Sequence, residues 1–272
     1  MKRTVRQPWC VDEILHRHIE AELVHADSQL FFLLAAASFV EITSHLYNDN
    51  LLAYFAGDNE MTDWLREQWL PEELRHGNAL KRYVNGVWPE FDWAKAYREF
   101  FADYSRCSST KQLGPTRALE MVSRCLVETG TSCLYTMISR LTTEPVLRLL
   151  MARMKDDEVY HYKHFYRCYL RYRQNGQPAN IVVLRTLYRR IAEIDGEDGF
   201  LAFKYVFEQS RPRCPFTIYD YRMFSRHFTR LAKTYFPYTM ATKMFLQPMK
   251  LPRWQKRIAL PLLCTGAKYL SH

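Results

Sequence analysis

Apolar residues recur every three or four positions through most of this chain, the spacing of one helical face, while strict alternation is rare. Four such stretches are long. In the first, Leu30, Leu34 and Ala37 lead to Glu41, and in the second Trp69, Leu80 and Tyr83 bracket Glu73 and His76. In the third, Met121, Cys125 and Tyr135 bracket Glu128. In the fourth, Leu147, Leu150, Met151, Met154, Phe165 and Cys168 bracket Glu158 and His161. The stripes predict four core-facing helices, each carrying ionisable residues on the face that should be dry.

Breaker residues set the boundaries. A leading helix is expected over 11–23 and the first bundle helix over 28–55, with Ser28 as its cap and a turn at Gly57-Asp-Asn. A second helical run over 62–70 meets Pro71, which either kinks it or starts a new helix just before Glu73. The pattern breaks over 86–93, a short helix runs through Tyr104, and 105–114 is the clearest loop. Pro115 suits the first turn of the third bundle helix; Thr143 is the expected cap of the fourth, with Pro145 in its first turn, and Asn175-Gly-Gln-Pro ends it. The expectation is an all-α, single-domain chain: a four-helix bundle core over about 28–175, additional N-terminal helices, and a helical extension over about 176–272.

The order of the buried ionisable residues is Glu41, then Glu73-x-x-His76, then Glu128, then Glu158-x-x-His161. Residues three apart on a helix share a face about 5–6 Å apart at Cβ, so each Glu-x-x-His pair can address one metal ion. A single such pair arises readily by chance, and a lone helical glutamate is usually solvated. The complete ordered set on apolar stripes is a different matter, because four carboxylates balance two divalent ions and make their burial tolerable. An oxygen- and nitrogen-rich donor set suits iron or manganese. The arrangement is the one that ferritin-like di-metal bundles use.

The stretch Trp69-Leu-Pro-Glu-Glu-Leu-Arg-His-Gly77, followed by Leu80 and Tyr83, resembles a motif of the soluble acyl-carrier-protein desaturases. Glu144-Pro-Val-Leu147 and Asp157-Glu158-x-x-His161 are similar to their fourth-helix segment, and Thr131 matches a threonine those enzymes place beside the metal pair. The resemblance spans about 28–175 and departs at Tyr160, where the desaturases carry arginine. It implies two iron ions held by Glu41, Glu73, His76, Glu128, Glu158 and His161, with O2 as co-substrate and hydrogen removed from an acyl chain carried as a thioester on an acyl carrier protein or coenzyme A. It also implies Thr131 as a proton relay, an electron donor such as a ferredoxin, and a homodimer. Asp157 and Glu72 are candidates to hold the rings of His76 and His161, since metal-bound histidines commonly donate their other N–H to a carboxylate. Trp64 and Trp69 are candidates to carry electrons inward, with plain packing as the alternative. Related enzymes insert oxygen, deformylate aldehydes or oxidise arylamines; the last carry an extra histidine where this chain has Met154. Iron oxidation and storage, or a bundle without metal, are readings of another class; the long basic extension does not suit a ferritin cage.

Composition adds a compartment and a charge asymmetry. Cysteines 10, 107, 125, 133, 168, 214 and 264 form no Cys-x-x-Cys, which points to free thiols in a reducing cytoplasm. No signal peptide is recognised, and the longest apolar run, 30–40, holds Ser38 and stops at Glu41, too short to span a bilayer. The net charge of +9 is concentrated late. Between Val159 and Ala192 there are basic residues and no acid, and from Tyr221 to His272 again no acid. An anionic partner is implied, with Arg167, Arg171 and Arg173 as candidate carrier- or anion-binding residues. No nucleic-acid module is recognised. The last segment, which mixes basic and apolar residues with three prolines, is expected to wrap the bundle, cover a dimer mate or lie on an anionic membrane surface.

Overall fold

A computed structural model describes residues 8–107, 113–196 and 198–270. Every regular element among them is helical: α1 (Val11–Leu15), α2 (Ser28–Ile42), α3 (Ser44–Tyr54), α4 (Asn59–Trp64), α5 (Leu70–Val87), α6 (Trp93–Cys107), α7 (Arg117–Leu141), α8 (Pro145–Tyr172), α9 (Asn180–Gly196), α10 (Asp198–Ser210), α11 (Ile218–Tyr235), α12 (Tyr238–Leu246) and α13 (Arg253–Leu270). The all-α expectation holds.

Local chemistry explains the starts and stops, and corrects several expectations. The leading helix is only one turn long, followed by a 3-10 turn at Ala21–Leu23. The first bundle helix is capped by Asp27, whose carboxylate accepts from the Leu30 N–H at 2.9 Å, and not by Ser28. It breaks at Thr43, whose hydroxyl turns back onto the Phe39 and Val40 carbonyls, so α2 and α3 are separate helices. Pro71 is the second residue of α5, in the first turn of a new helix just before Glu73, the second of the two expected alternatives. The five residues Leu65–Trp69 form a π-helical turn that joins α4 to α5, an adjustment that accommodates the missing proline N–H. Glu144, not Thr143, caps α8; it accepts from the Val146 and Leu147 N–H groups at 3.1 and 2.6 Å and from the Tyr83 hydroxyl at 2.9 Å, tying α8 to α5. Pro115 lies just outside α7, which Thr116 caps. Helix α6 runs on to Cys107, into the expected loop at 105–114, whose positions 108–112 lie outside the described residues.

Helices α7 and α8 form one closely packed hairpin, and α2 and α5 pair as another. Side chains fill the interior as two apolar clusters. One gathers Phe39, Leu80, Tyr83, Tyr135, Leu147 and Met154. The other gathers Leu51, Trp69, Cys125, Tyr162 and Phe165. On α7 and α8 the metal-candidate residues fall between members of the two clusters, and Glu41 lies between Phe39 of the first and Leu51, on α3, of the second, so the candidates make one polar layer across the waist of the bundle.

By length and composition the stretch Ser28–Tyr54 could cross a bilayer. Here α2 is packed against α5 and α10, with Leu34, Ala35 and Phe39 wholly buried. Parts of the distal chain pack on these helices. Helix α10 packs Phe203 on Phe32 with ring centroids 4.8 Å apart, and the Met244 and Pro248 carbonyls accept from the Tyr162 and Tyr169 hydroxyls at 2.7 and 3.1 Å. Of its prolines, Pro252 separates α12 from α13, whereas Pro261 sits inside α13. Cys10, Cys125, Cys133, Cys168, Cys214 and Cys264 are free thiols.

Candidate metal centre

Four helices deliver the six predicted ligands to one place. Glu41 comes from α2, Glu73 and His76 from α5, Glu128 from α7, and Glu158 and His161 from α8. All are buried, with Glu158, His76 and His161 fully so. They form two overlapping sets. Glu41, Glu73, His76 and Glu158 offer ligand atoms within 4.8 Å of one another, and so do Glu73, Glu128, Glu158 and His161. Glu73 and Glu158 belong to both.

The hydrogen bonding divides each imidazole into an outward and an inward nitrogen. His76 Nε2–H donates to Asp157 Oδ2 at 2.9 Å, and His161 Nε2–H donates to Glu72 Oε2 at 2.8 Å. Both partners are buried carboxylates, which fixes ring orientation and leaves Nδ1 facing the cluster. The two Nδ1 atoms lack hydrogen-bond partners, as does one oxygen each of Glu73, Glu128 and Glu158. Yet His76 Nδ1 is 3.1 Å from Glu158 Oε1 and His161 Nδ1 is 3.0 Å from Glu73 Oε1. Buried polar atoms that converge without hydrogen bonds are what a bound cation would satisfy.

Electrostatics agree. Burial pushes the carboxyl of Glu41 up and that of Glu73 well up, with the Glu158 charge adding to both. Burial likewise raises Glu128, to about 8. For Glu158 burial acts in the same direction, but the nearby imidazoles of His161 and His76 outweigh it and hold the carboxyl well below the usual range. Burial would lower the His76 pKa, yet the carboxylates of Asp157 and Glu158 carry it to about 9. His161 is raised by Glu128, Glu158, Glu72 and Glu73 against the same burial. The metal-free cluster therefore carries several protons that divalent ions would displace.

The remaining candidates are distributed unevenly. The Thr131 hydroxyl donates to Glu158 Oε2 at 2.9 Å, so it stands at the cluster. Trp64 stacks on His164 with centroids 3.7 Å apart and presents an edge to His161, while Trp69 packs against Phe165. Neither indole N–H makes a hydrogen bond to the cluster. Arg171 is already engaged: it pairs with Asp58 at 2.6 Å and with Glu60, locking α8 to the start of α4. Arg173 lies over the Tyr169 ring, and Arg167 is exposed with its Nε–H on the Lys163 carbonyl.

Three contributors went unnoticed in the sequence. Trp9 Nε1–H donates to Asp157 Oδ2 at 2.7 Å and its ring stacks on His76. Arg75 donates to the same oxygen at 3.0 Å and lies over the Trp9 ring. Tyr135 donates its hydroxyl to Glu41. Tyr135 lay on the predicted stripe two turns from Glu128, and that position was the available signal. Trp9 had none, because it precedes any periodic element.

No protein-family model, curated protein or solved structure matches this chain.

Proposed function

We propose that this chain is an O2-activating di-iron oxidase of ferritin-like architecture, acting on an acyl chain held as a thioester, most simply as a desaturase. The observation that carries the reading is the pair of overlapping buried ligand sets sharing Glu73 and Glu158. Two sets with shared carboxylates fit two adjacent ions. The donors are oxygen and nitrogen only, which favours iron or manganese over thiolate-seeking metals. A reduced iron pair supplies the electrons that activate O2 for hydrogen removal from an unactivated carbon.

The chain's own residues support that chemistry in distinct ways. Glu41 and His76 would complete one ion's ligands, and Glu128 and His161 the other's, with Glu73 and Glu158 common to both. Asp157 and Glu72 hold the imidazoles so that each Nδ1 lone pair points inward. The apolar clusters above and below the polar layer exclude water. Thr131 holds a proton within hydrogen-bond distance of Glu158, the position for a relay. The hydrogen-bonded run from half-buried Trp9 through Asp157 to His76 supplies a path for electrons from the surface, in place of Trp64 or Trp69.

The test is anaerobic Fe(II) titration of metal-free protein, followed by O2 exposure with optical and Mössbauer readout. Two irons per chain and a magnetically coupled diferric product are expected. No uptake, or a single uncoupled ion, would refute the reading. Mass spectrometry of acyl-thioester products then separates desaturation, a loss of two hydrogens, from oxygen insertion.

A further inference from the structure

Helix α13 is covered on one side only. Its inner side rests on α12, where Cys264 Sγ lies 3.3 Å from Thr242 Oγ1. Its outer side exposes Trp254 (62%), Ile258 (56%) and Leu262 (67%). Residues four apart share a helical face, so these three make one ridge, about 12 Å long at 1.5 Å per residue. Exposed Arg253 and Arg257 each precede a ridge residue by one position. No acidic side chain occurs anywhere from Tyr221 to the last residue. An apolar ridge of this kind on an exposed helix marks a contact surface.

We infer that α13 is an interfacial anchor that lays this protein on an anionic lipid surface. The inference does not depend on the metal centre. A helix with a tryptophan–isoleucine–leucine ridge beside arginines has the composition of one that lies in the membrane plane. Tryptophan favours the boundary between water and hydrocarbon, and the arginines meet the negative charge of the leaflet. A second copy of the chain fits less well. A two-fold contact presents the same patch to itself, which would bring Arg253 and Arg257 up against their own counterparts with no acid in the helix to offset them. An acidic protein would answer the arginines and leave the ridge unexplained.

The test uses the full chain and flotation with vesicles of phosphatidylcholine alone or with added phosphatidylglycerol. Binding to the anionic vesicles only is expected, weakening with salt, with a blue shift in tryptophan emission that Trp254→Phe removes. Ile258→Asp/Leu262→Asp should lower binding on the order of a hundredfold, and Arg253→Gln/Arg257→Gln on the order of tenfold or more. Both double variants alter exposed side chains, so unchanged helical circular dichroism and metal uptake confirm that they fold. Failure of the wild-type chain to float, or undiminished binding by the Asp variant, would overturn the inference. So would a dimer in solution that Leu262→Asp dissociates, or binding to polyglutamate with none to vesicles.

Discussion

Replacing Gly77 by alanine tests how closely the two halves of the site are held together. Gly77 follows His76 on α5, and a Cβ there would lie 2.5 Å from Ile42 Cγ1, 2.8 Å from the Ile42 backbone nitrogen and 3.1 Å from Glu41 Cβ. A rotamer change at Ile42 can relieve the first contact. The backbone contact is relieved only if α2 and α5 move apart. Overpacking of that kind costs ~1–3 kcal/mol, against a gain of ~0.5–1 kcal/mol when a helical glycine becomes alanine. The net expectation is a loss of about 1 kcal/mol, within a span of about 0–2.5, or a melting temperature lower by roughly 2–5 °C for a chain of this size. The same separation draws Glu41 away from His76, so metal affinity should fall most in the set containing those two. Gly130→Ala is the internal control: it lies on α7 with nothing within 4 Å of an added Cβ. There alanine should stabilise by ~0.5–1 kcal/mol. Thermal unfolding of the metal-free variants, paired with metal titration, reads both effects. If Gly77→Ala proves as benign as Gly130→Ala, the close approach of α2 to α5 beside the site is wrong.

Other consequences follow from the same geometry. Glu158→Ala removes a carboxylate common to both ligand sets and should abolish metal binding with the helices intact, whereas Glu41→Ala touches one set and should leave about half the metal; full occupancy in Glu158→Ala, by metal analysis, would overturn the site. Asp157→Asn replaces the carboxylate that accepts from Trp9, Arg75 and His76, and should weaken metal binding ~10–100-fold in chelator competition. An unchanged affinity would mean that something else orients His76. Metal affinity should rise with pH up to about 9, with proton release at neutral pH, because Glu128 titrates near 8 and His76 near 9 in the metal-free cluster. Calorimetry in buffers of different ionisation enthalpy measures that release, and its absence would contradict the proton count. For the metal-free protein both raised groups hold protons that the unfolded chain has lost, so stability should fall as pH rises from about 6.5 to 9; denaturant midpoints that rise over that range would refute the assignment.

The six ligand candidates were legible because burial constrains them twice. Each had to interrupt an apolar stripe, and the interruptions had to match in number and order across four helices. Glu72 and Asp157 were also within reach, since each lies beside a ligand on the same helix. What escaped was set by distant contacts. The Trp9 bond to Asp157 joins residues 148 positions apart and starts from a segment without periodicity. The pairing of Arg171 with Asp58 and Glu60 likewise joins residues more than a hundred positions apart, which only the fold brings together. Glu144 escaped for a different reason. Glutamate is an uncommon cap, and its double role on the α8 N-terminus and Tyr83 depends on how α5 lies against α8.

The placement of the polar layer carries its own argument. The apolar residues above and below it pack to complete burial, with Leu34, Phe39, Leu80, Leu147, Met154 and Phe165 at 0% exposure. A bundle this well filled gains no stability from four carboxylates and two imidazoles at its waist. Buried ionic groups seldom outperform apolar residues of similar volume, and unpaired ones are strongly destabilising. The outward hydrogen bonds that the imidazoles donate to Asp157 and Glu72 satisfy only the Nε2 atoms and leave both inward Nδ1 atoms without a hydrogen-bond partner. A structural network would have closed on itself. This one is closed on its outer side and open at its centre, where Glu73 and Glu158 are shared between two ligand sets. Local rules of burial are broken where something outside the chain completes a site, and the oxygen and nitrogen donors left facing inward are of the kind that hold metal ions.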